Sequence, residues 1–200
     1  LIPVTSKTCS ELLVLRSQLN NQHPFVVENG ASIYFPLNYF SHSINGVELA
    51  AENETNQQAL LVYSLGRPRP FWSELLNSIG GALHDSFISF EELGVTGIVE
   101  ATGLAPQAAL QANQRQASEP VKWLGSAEQL KAFTQYIESQ GGQVLRGGRF
   151  LHILDATVSK GRALRWLTQQ YQLSTPEQAF KSIALGDADN DLSMLAAANQ

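Results

Sequence analysis

Asp187, Asp189 and Asp191 fall within five positions, directly after the apolar run 182–185 and Gly186. Carboxylates crowded in this way repel one another unless a cation is present, and Mg²⁺ is held through one or two carboxylates together with water and substrate phosphate. The same residues also read as a solvated acidic turn in which Asp189, Asn190 or Asp191 caps the next helix. A calcium loop fits less well, because no glutamate follows at the position such a loop needs. Lys160 stands in the first turn of a helix, where the helix dipole disfavours a cation. A carboxylate or phosphate beside it would compensate; the alternative is a lysine extended into solvent. Thr5-Ser6-Lys7 precedes another helix N-terminus. Two hydroxyls, an ammonium and unpaired backbone N–H groups suit a phosphate there, and they equally make an ordinary strand-to-helix loop.

The elements that must position these residues follow from periodicity and punctuation. Residues 8–19 read as a helix, with Thr8 and Glu11 at capping-box spacing and Leu12, Leu15 and Leu19 on one face. Phe25–Val27 is a short buried strand ending in Glu28-Asn29-Gly30, and 33–40 and 60–65 read as strands or a long hairpin. Residues 66–70, Gly-Arg-Pro-Arg-Pro, mark a boundary. Beyond it come a helix over 71–79, a strand over 87–90, two short helices within 92–117, a strand over 120–124, a helix over 127–140 and a hairpin over 144–155. Ser159 caps a helix whose buried stripe is Ala163, Leu164, Leu167 and Tyr171; 182–185 is a strand and 192–198 the last helix. This αβα order predicts an α/β fold with a mostly parallel sheet, formed by 1–66 and 155–200 and interrupted by an α+β insertion over 67–154. In such a sheet the loops after the strands meet at one edge, where ligands bind.

Composition narrows the function. At 200 residues and 44% hydrophobic, the chain is large enough for one sizeable core or two small ones. A net charge of −5 argues against a nucleic-acid binder, and no apolar run reaches the roughly 18–20 residues needed to span a bilayer. The single cysteine, Cys9, cannot form an internal disulfide, which suits a reducing, cytoplasmic setting. Oligomeric state is not encoded in any pattern of the sequence.

Thr5, then Lys160 within Ser-Lys-Gly, then Asp187 and Asp191 within Gly-Asp-x-x-Asn-Asp resemble, in this order, the motifs of the haloacid-dehalogenase-like (HAD-like) phosphatases. The insertion resembles the α+β cap of that superfamily's sugar-phosphatase branch. A narrower resemblance, to the mannosyl-3-phosphoglycerate phosphatase family, rests on Thr5 to Thr8 with Glu11, Glu28-Asn29-Gly30-Ala31, residues 115–120 (Arg-Gln-Ala-Ser-Glu-Pro), and Gly147-Gly148-Arg149-Phe150 with His152. The resemblance implies a Rossmannoid core with a parallel sheet and an inserted cap. It implies Mg²⁺-dependent hydrolysis of a small phosphorylated glycoside or sugar acid through an aspartyl-phosphate, leaving mannosylglycerate. Thr5 would donate to the phosphoryl group and Lys160 would neutralise its charge. Asp187 would bind Mg²⁺, with Asp191 contributing to the metal site or orienting Lys160 or a metal-bound water. Ser6, Lys7, Asn29, Arg115, Ser118, Arg149 and His152 would contact substrate.

One departure from the pattern is chemical. The superfamily's nucleophile and its acid/base partner form an Asp-x-Asp pair ahead of the hydroxyl motif, and no aspartate precedes Asp85 here. The sequence is therefore expected to be an internal fragment whose core is incomplete at both ends and which is inactive by itself. The alternatives are a phosphatase for another sugar phosphate and a truncated, non-catalytic binding module. His23, His42 and His84 lack metal-ligand spacing; Trp72, Trp123 and Trp166 read as core; His152 alternates with apolar neighbours, so packing competes with substrate contact.

Overall fold

The computed structural model describes residues 1–50 and 59–198, which form two compact units. The first comprises Leu1–Lys7, Leu12–Leu65 and Val158–Gln200, and the second Thr8–Glu11 and Gly66–Thr157. Helix α1 (Cys9–Gln18) opens with a reciprocal capping box, Thr8 N donating to Glu11 Oε2 (2.9 Å) and Glu11 N to Thr8 Oγ1 (3.2 Å). These two backbone donors at the helix start thus gain side-chain acceptors, as the Thr-x-x-Glu spacing predicts.

In the first unit, β1 (Phe25–Val27), β2 (Ser32–Pro36), β3 (Val47–Leu49) and β4 (Leu60–Ser64) form a sheet of order β1-β2-β4-β3. Helix α6 (Lys160–Ser174) covers it through Ala163 and Leu167, which pack with Val26, Ile33, Phe35 and Phe40. Trp166 stacks on Tyr63 with ring centroids 4.5 Å apart. The loop after β2 is fastened to the far end of α6 by hydrogen bonds Tyr39 Oη–Tyr171 Oη and His42 Nε2–Gln170 Oε1, each 2.9 Å. Helix α7 (Leu192–Ala197) follows a short 3₁₀ turn, Asp189–Asp191.

In the second unit, β5 (Phe87–Ser89), β6 (Glu119–Trp123), β7 (Gly142–Arg146) and β8 (Leu151–Asp155) form a sheet of order β5-β6-β8-β7. Helices α2 (Arg69–Asn77) and α5 (Ala127–Ser139) supply Trp72, Leu76, Phe133 and Ile137 to a core with Val121 and Ile153. Helices α3 (Phe90–Thr102) and α4 (Pro106–Asn113) pack as a second cluster around Phe90, Ile98, Ala109 and Ala112. Arg67 Nε donates to Asp155 Oδ2 (2.7 Å), tying the two chain segments that enter and leave this unit.

The expected parallel sheet is not what forms. Every strand pairing in both sheets is antiparallel, and among the described residues the parallel contact is confined to the isolated bridge Val4–Val26. The fold is α/β with two antiparallel sheets. Short turns give β1 and β7 antiparallel partners next to them in sequence, so ladder hydrogen bonds are satisfied without the long crossover that parallel pairing needs. Residues 182–185, expected as a strand, join no ladder, and Ile183 and Leu185 are 90% and 87% exposed. An apolar run has the composition of a buried strand, but composition does not supply the partner. No helix among the described residues is long and apolar enough to cross a membrane.

Because Ile183 is in solvent, Ile183→Thr in this 200-residue chain is expected to change unfolding stability by no more than about 0.5 kcal/mol in urea melts. A loss above about 1.5 kcal/mol would show a buried strand at 182–185.

Candidate active site

Four segments of the first unit meet around Lys160. The chain leaves its parallel bridge at Thr5, whose N–H donates to the Val26 carbonyl (3.0 Å) and whose carbonyl accepts from Asn29 N (3.0 Å). Glu28 N donates to the Lys7 carbonyl (3.0 Å), so residues 5–7 are laced to the turn that ends β1. That turn has three successive positive φ angles, 50° at Glu28, 61° at Asn29 and 102° at Gly30. Left-handed backbone costs roughly 1–2 kcal/mol for a residue with a Cβ, and such strain persists where the surroundings hold it. At Gly30 the surroundings are explicit: a Cβ there would overlap the carbonyl of Ser159. The absence of a side chain lets the turn lie directly on the N-terminus of α6.

Ser159 caps α6, its Oγ accepting from Arg162 N (3.1 Å), and Lys160 follows in the first turn. The cation is compensated by Asp191: Lys160 Nζ donates to Asp191 Oδ1 at 2.6 Å, with both side chains under a tenth exposed. The other oxygen, Oδ2, accepts from the backbone N–H groups of Asp187 and Ala188, each at 3.2 Å. Burial pushes the Asp191 pKa up, but the hydrogen bond and charge of Lys160 and the two amides outweigh it and hold the group below the ordinary carboxylate value. Gly161 admits a second close approach. A Cβ there would overlap the Ser193 carbonyl, and Gly161 N instead donates to Ser193 Oγ (3.1 Å). Asn190 Nδ2 donates to Asn29 Oδ1 (3.0 Å), joining the acidic loop to the strained turn. The buried Nδ2 of Asn29 has no hydrogen-bond partner among the described residues.

The structure therefore brings together Thr5, Ser6, Lys7, Asn29, Lys160, Asp187 and Asp191. Thr5 Oγ1 accepts from Lys7 N (3.2 Å), which leaves its own proton for donation. Of the two residues expected at the metal, Asp187 is exposed, whereas both oxygens of Asp191 already accept hydrogen bonds from protein groups. Among the described residues no three His, Cys, Asp or Glu side chains are grouped as a metal cluster. A hard cation that takes a single protein carboxylate plus water and phosphate fits this donor set; an all-protein cage does not.

The remaining expected residues lie in the second unit. Arg115 and Ser118 are buried, with Arg115 Nη1 donating to Ser118 Oγ (3.1 Å). His152, on β8, is close enough for the Arg115 charge to act on it. Burial first and that charge second lower its pKa to about 3, and its Nδ1 is buried without a partner among the described residues. Arg149 takes a different place: its Nη1 donates to the carbonyls of Ala101 (3.3 Å) and Thr102 (2.9 Å), the end of α3, where a cation complements the helix dipole.

Several participants were not singled out in the sequence. Asn190 lies inside the late acidic motif and Glu119 inside Arg-Gln-Ala-Ser-Glu-Pro, so position within a motif was a usable signal for both. Ser193 carries none; only the close approach at Gly161 reveals it.

With this geometry in view, likeness to solved structures shows the fold. The chain superposes on a haloacid dehalogenase-like hydrolase from Bacteroides thetaiotaomicron with a TM-score of 0.55 at 19% identity, covering 98% of this chain and 72% of that one. It superposes on Thermoplasma acidophilum 0175 with a TM-score of 0.57 at 15% identity, covering 96% and 64%. The fold is HAD-like. Residues 91–200 match the family described as sucrose-6F-phosphate phosphohydrolase, and the chain belongs to that family, in the sugar-phosphatase branch of the HAD-like phosphatase superfamily. The glucosyl-3-phosphoglycerate/mannosyl-3-phosphoglycerate phosphatase of Persephonella marina is 29% identical over 197 residues, 98% of this chain and 68% of that protein. The chain thus spans about two thirds of the length of these relatives.

Two outcomes are expected. Asp191→Ala leaves Lys160 buried without its counter-charge and lowers stability by about 3–5 kcal/mol, measured by denaturant unfolding. The His152 ring signals stay flat in NMR titration from about pH 5 to 8. Between its unfolded value of 6.5 and its folded value of about 3, only the unfolded chain binds that proton, so acidification through this window costs stability. His152→Gln flattens the slope there.

Proposed function

We propose that this chain carries the phosphate-handling part of a Mg²⁺-dependent phosphomonoester hydrolase whose substrate is a small phosphorylated sugar acid, with mannosyl-3-phosphoglycerate or its glucosyl counterpart as the preferred reading. The observation that carries the chemistry is the buried Lys160–Asp191 pair, set beside Thr5, Asn29 and the exposed Asp187. What supports the substrate is the 29% identity with the Persephonella marina enzyme along nearly the whole chain.

The residues divide the work by their chemistry. Thr5 Oγ donates to a phosphoryl oxygen, while Lys160, fixed in direction by Asp191, directs its remaining N–H groups and its charge at the same group. Asp187 is the carboxylate that holds Mg²⁺, and Asp191 acts one layer out, orienting Lys160. When bound, the metal offsets charge on the phosphoryl oxygens. The Asn29 amide supplies a further buried donor. We read residues 67–154 as the cap that selects the substrate, with Arg115, Ser118 and the neutral His152 as its polar recognition groups. A covalent route takes an acceptor aspartate ahead of the Thr5 hydroxyl, and within these 200 residues no aspartate precedes Asp85. A cytoplasmic setting accords with a single cysteine, Cys9, that has no second cysteine among these residues to pair with.

A second reading, a phosphatase for another sugar phosphate, is favoured by the family match over 91–200. Phosphate release from mannosyl-3-phosphoglycerate and from sucrose 6F-phosphate, measured on the protein expressed from its complete reading frame, separates the two. Activity is expected to require Mg²⁺ and to fall at least about 100-fold in Asp187→Ala. The 200-residue chain alone is expected to show none. Turnover indifferent to both chelation and Asp187→Ala would sink the proposal.

A further inference from the structure

The geometry points to Arg69 as a positioning residue that sets substrate selectivity without touching substrate, by fixing the loop from which Arg115 and Ser118 project. This inference rests on the proposed reading of Arg115 as a recognition group of the cap, and it takes the substrate carboxylate as the group its guanidinium meets.

Arg69 is the first residue of α2, and all of its hydrogen bonds named here go to the segment 113–119. Its backbone N–H donates to the Gln116 carbonyl (2.7 Å). Its Nη1 donates to the Asn113 carbonyl (2.5 Å) and its Nη2 to Asn113 Oδ1 (2.9 Å). Its Nε is paired with Glu119 Oε2. One side chain thus holds the beginning and end of the loop, and its own backbone holds the middle. The Asn113 carbonyl also accepts from Arg115 N (2.8 Å), so the guanidinium and the residue it positions share an acceptor.

Glu119 makes the arrangement rigid. Its side chain is fully buried, and its other oxygen accepts from Glu91 N (3.0 Å) at the start of α3. A carboxylate so placed cannot shift without losing its Arg69 counter-charge or its amide donor, and Arg69, 16% exposed, cannot swing away without stranding it. The planar fork of arginine is needed because three divergent acceptors must be met at once; an ammonium in the same place keeps the charge but not the geometry. Arg115 and Ser118 sit between the fixed points, and a misplacement of about 1 Å there is enough to cost on the order of 100-fold in recognition.

Arg69→Lys is the decisive variant, since it leaves Glu119 a counter-charge and so preserves folding. Asn113→Ala, which removes one acceptor without uncovering Glu119, should act in the same direction at smaller size. In the protein expressed from its complete reading frame, Arg69→Lys is expected to lower kcat/KM for mannosyl-3-phosphoglycerate about tenfold or more, mainly through KM. Hydrolysis of p-nitrophenyl phosphate, which lacks the carboxylate, should stay within about twofold. In an Arg115→Ala background the same substitution should add less than about twofold, because the two act as one unit. Amide hydrogen exchange should quicken at 114–118 and not in β6 or β8. Equal losses on both substrates, additive losses in the double variant, or unchanged exchange at 114–118 each overturn the inference. If Arg115→Ala alone leaves the preference between the two substrates unaltered, the carboxylate reading of Arg115 has failed instead. The exchange result then decides whether Arg69 positions the loop.

Discussion

A buried lysine in the first turn of a helix opposes both solvation and the helix dipole, and the first unit is arranged around relieving that conflict. Asp191 supplies the opposite charge, and the amides of Asp187 and Ala188 hold Asp191. The acidic loop therefore cannot relax into solvent without abandoning Lys160. The strained turn at Glu28–Gly30 can reach the same helix start because Gly30 has no side chain, and Asn190 ties it to the loop. A pair of this kind adds little net stability compared with apolar packing of the same volume, but losing one member is costly, so it enforces a particular arrangement rather than a deep free-energy minimum.

The same logic recurs in the second unit with the signs exchanged. There the awkward buried group is the carboxylate of Glu119, and Arg69 answers it. In both places a buried charge is held in a defined direction by a partner that is itself held by backbone groups, which stiffens the side chains nearby.

Local signals carried much of this into the sequence. Ser159 and the apolar stripe beyond it specify α6, and Thr8 with Glu11 specifies the start of α1, because caps and periodicity act over a few residues. The acidic cluster was visible as a cluster, and its division of labour was suggested by the resemblance alone, not by the residues themselves. Nothing in the spacing shows that Asp191 faces Lys160 while Asp187 is left open, since that depends on where Lys160 lies in three dimensions. Sheet topology was illegible for a related reason. The αβα order suggests parallel strands, yet hydrogen-bond partners are chosen by tertiary geometry, and the run 182–185 ends up in solvent. For Arg149 the resemblance implied substrate contact, and no local signal in the sequence showed that its Nη1 donates to the α3 carbonyls. Arg69 read only as part of a proline-rich boundary, since its three partner residues are 44 to 50 residues away.

The link between Asn29 and Asn190 joins positions 161 apart, whereas β1 pairs with β2 and β7 with β8 as hairpins between chain neighbours. Contacts between distant parts of a chain are slow to close, because the loop entropy must be lost before the contact forms. The β1–β2 hairpin and the β7–β8 hairpin can therefore form early, and the closure that brings the acidic loop onto the strained turn comes late. Until that closure Lys160 lacks the counter-charge of Asp191 and stands in water.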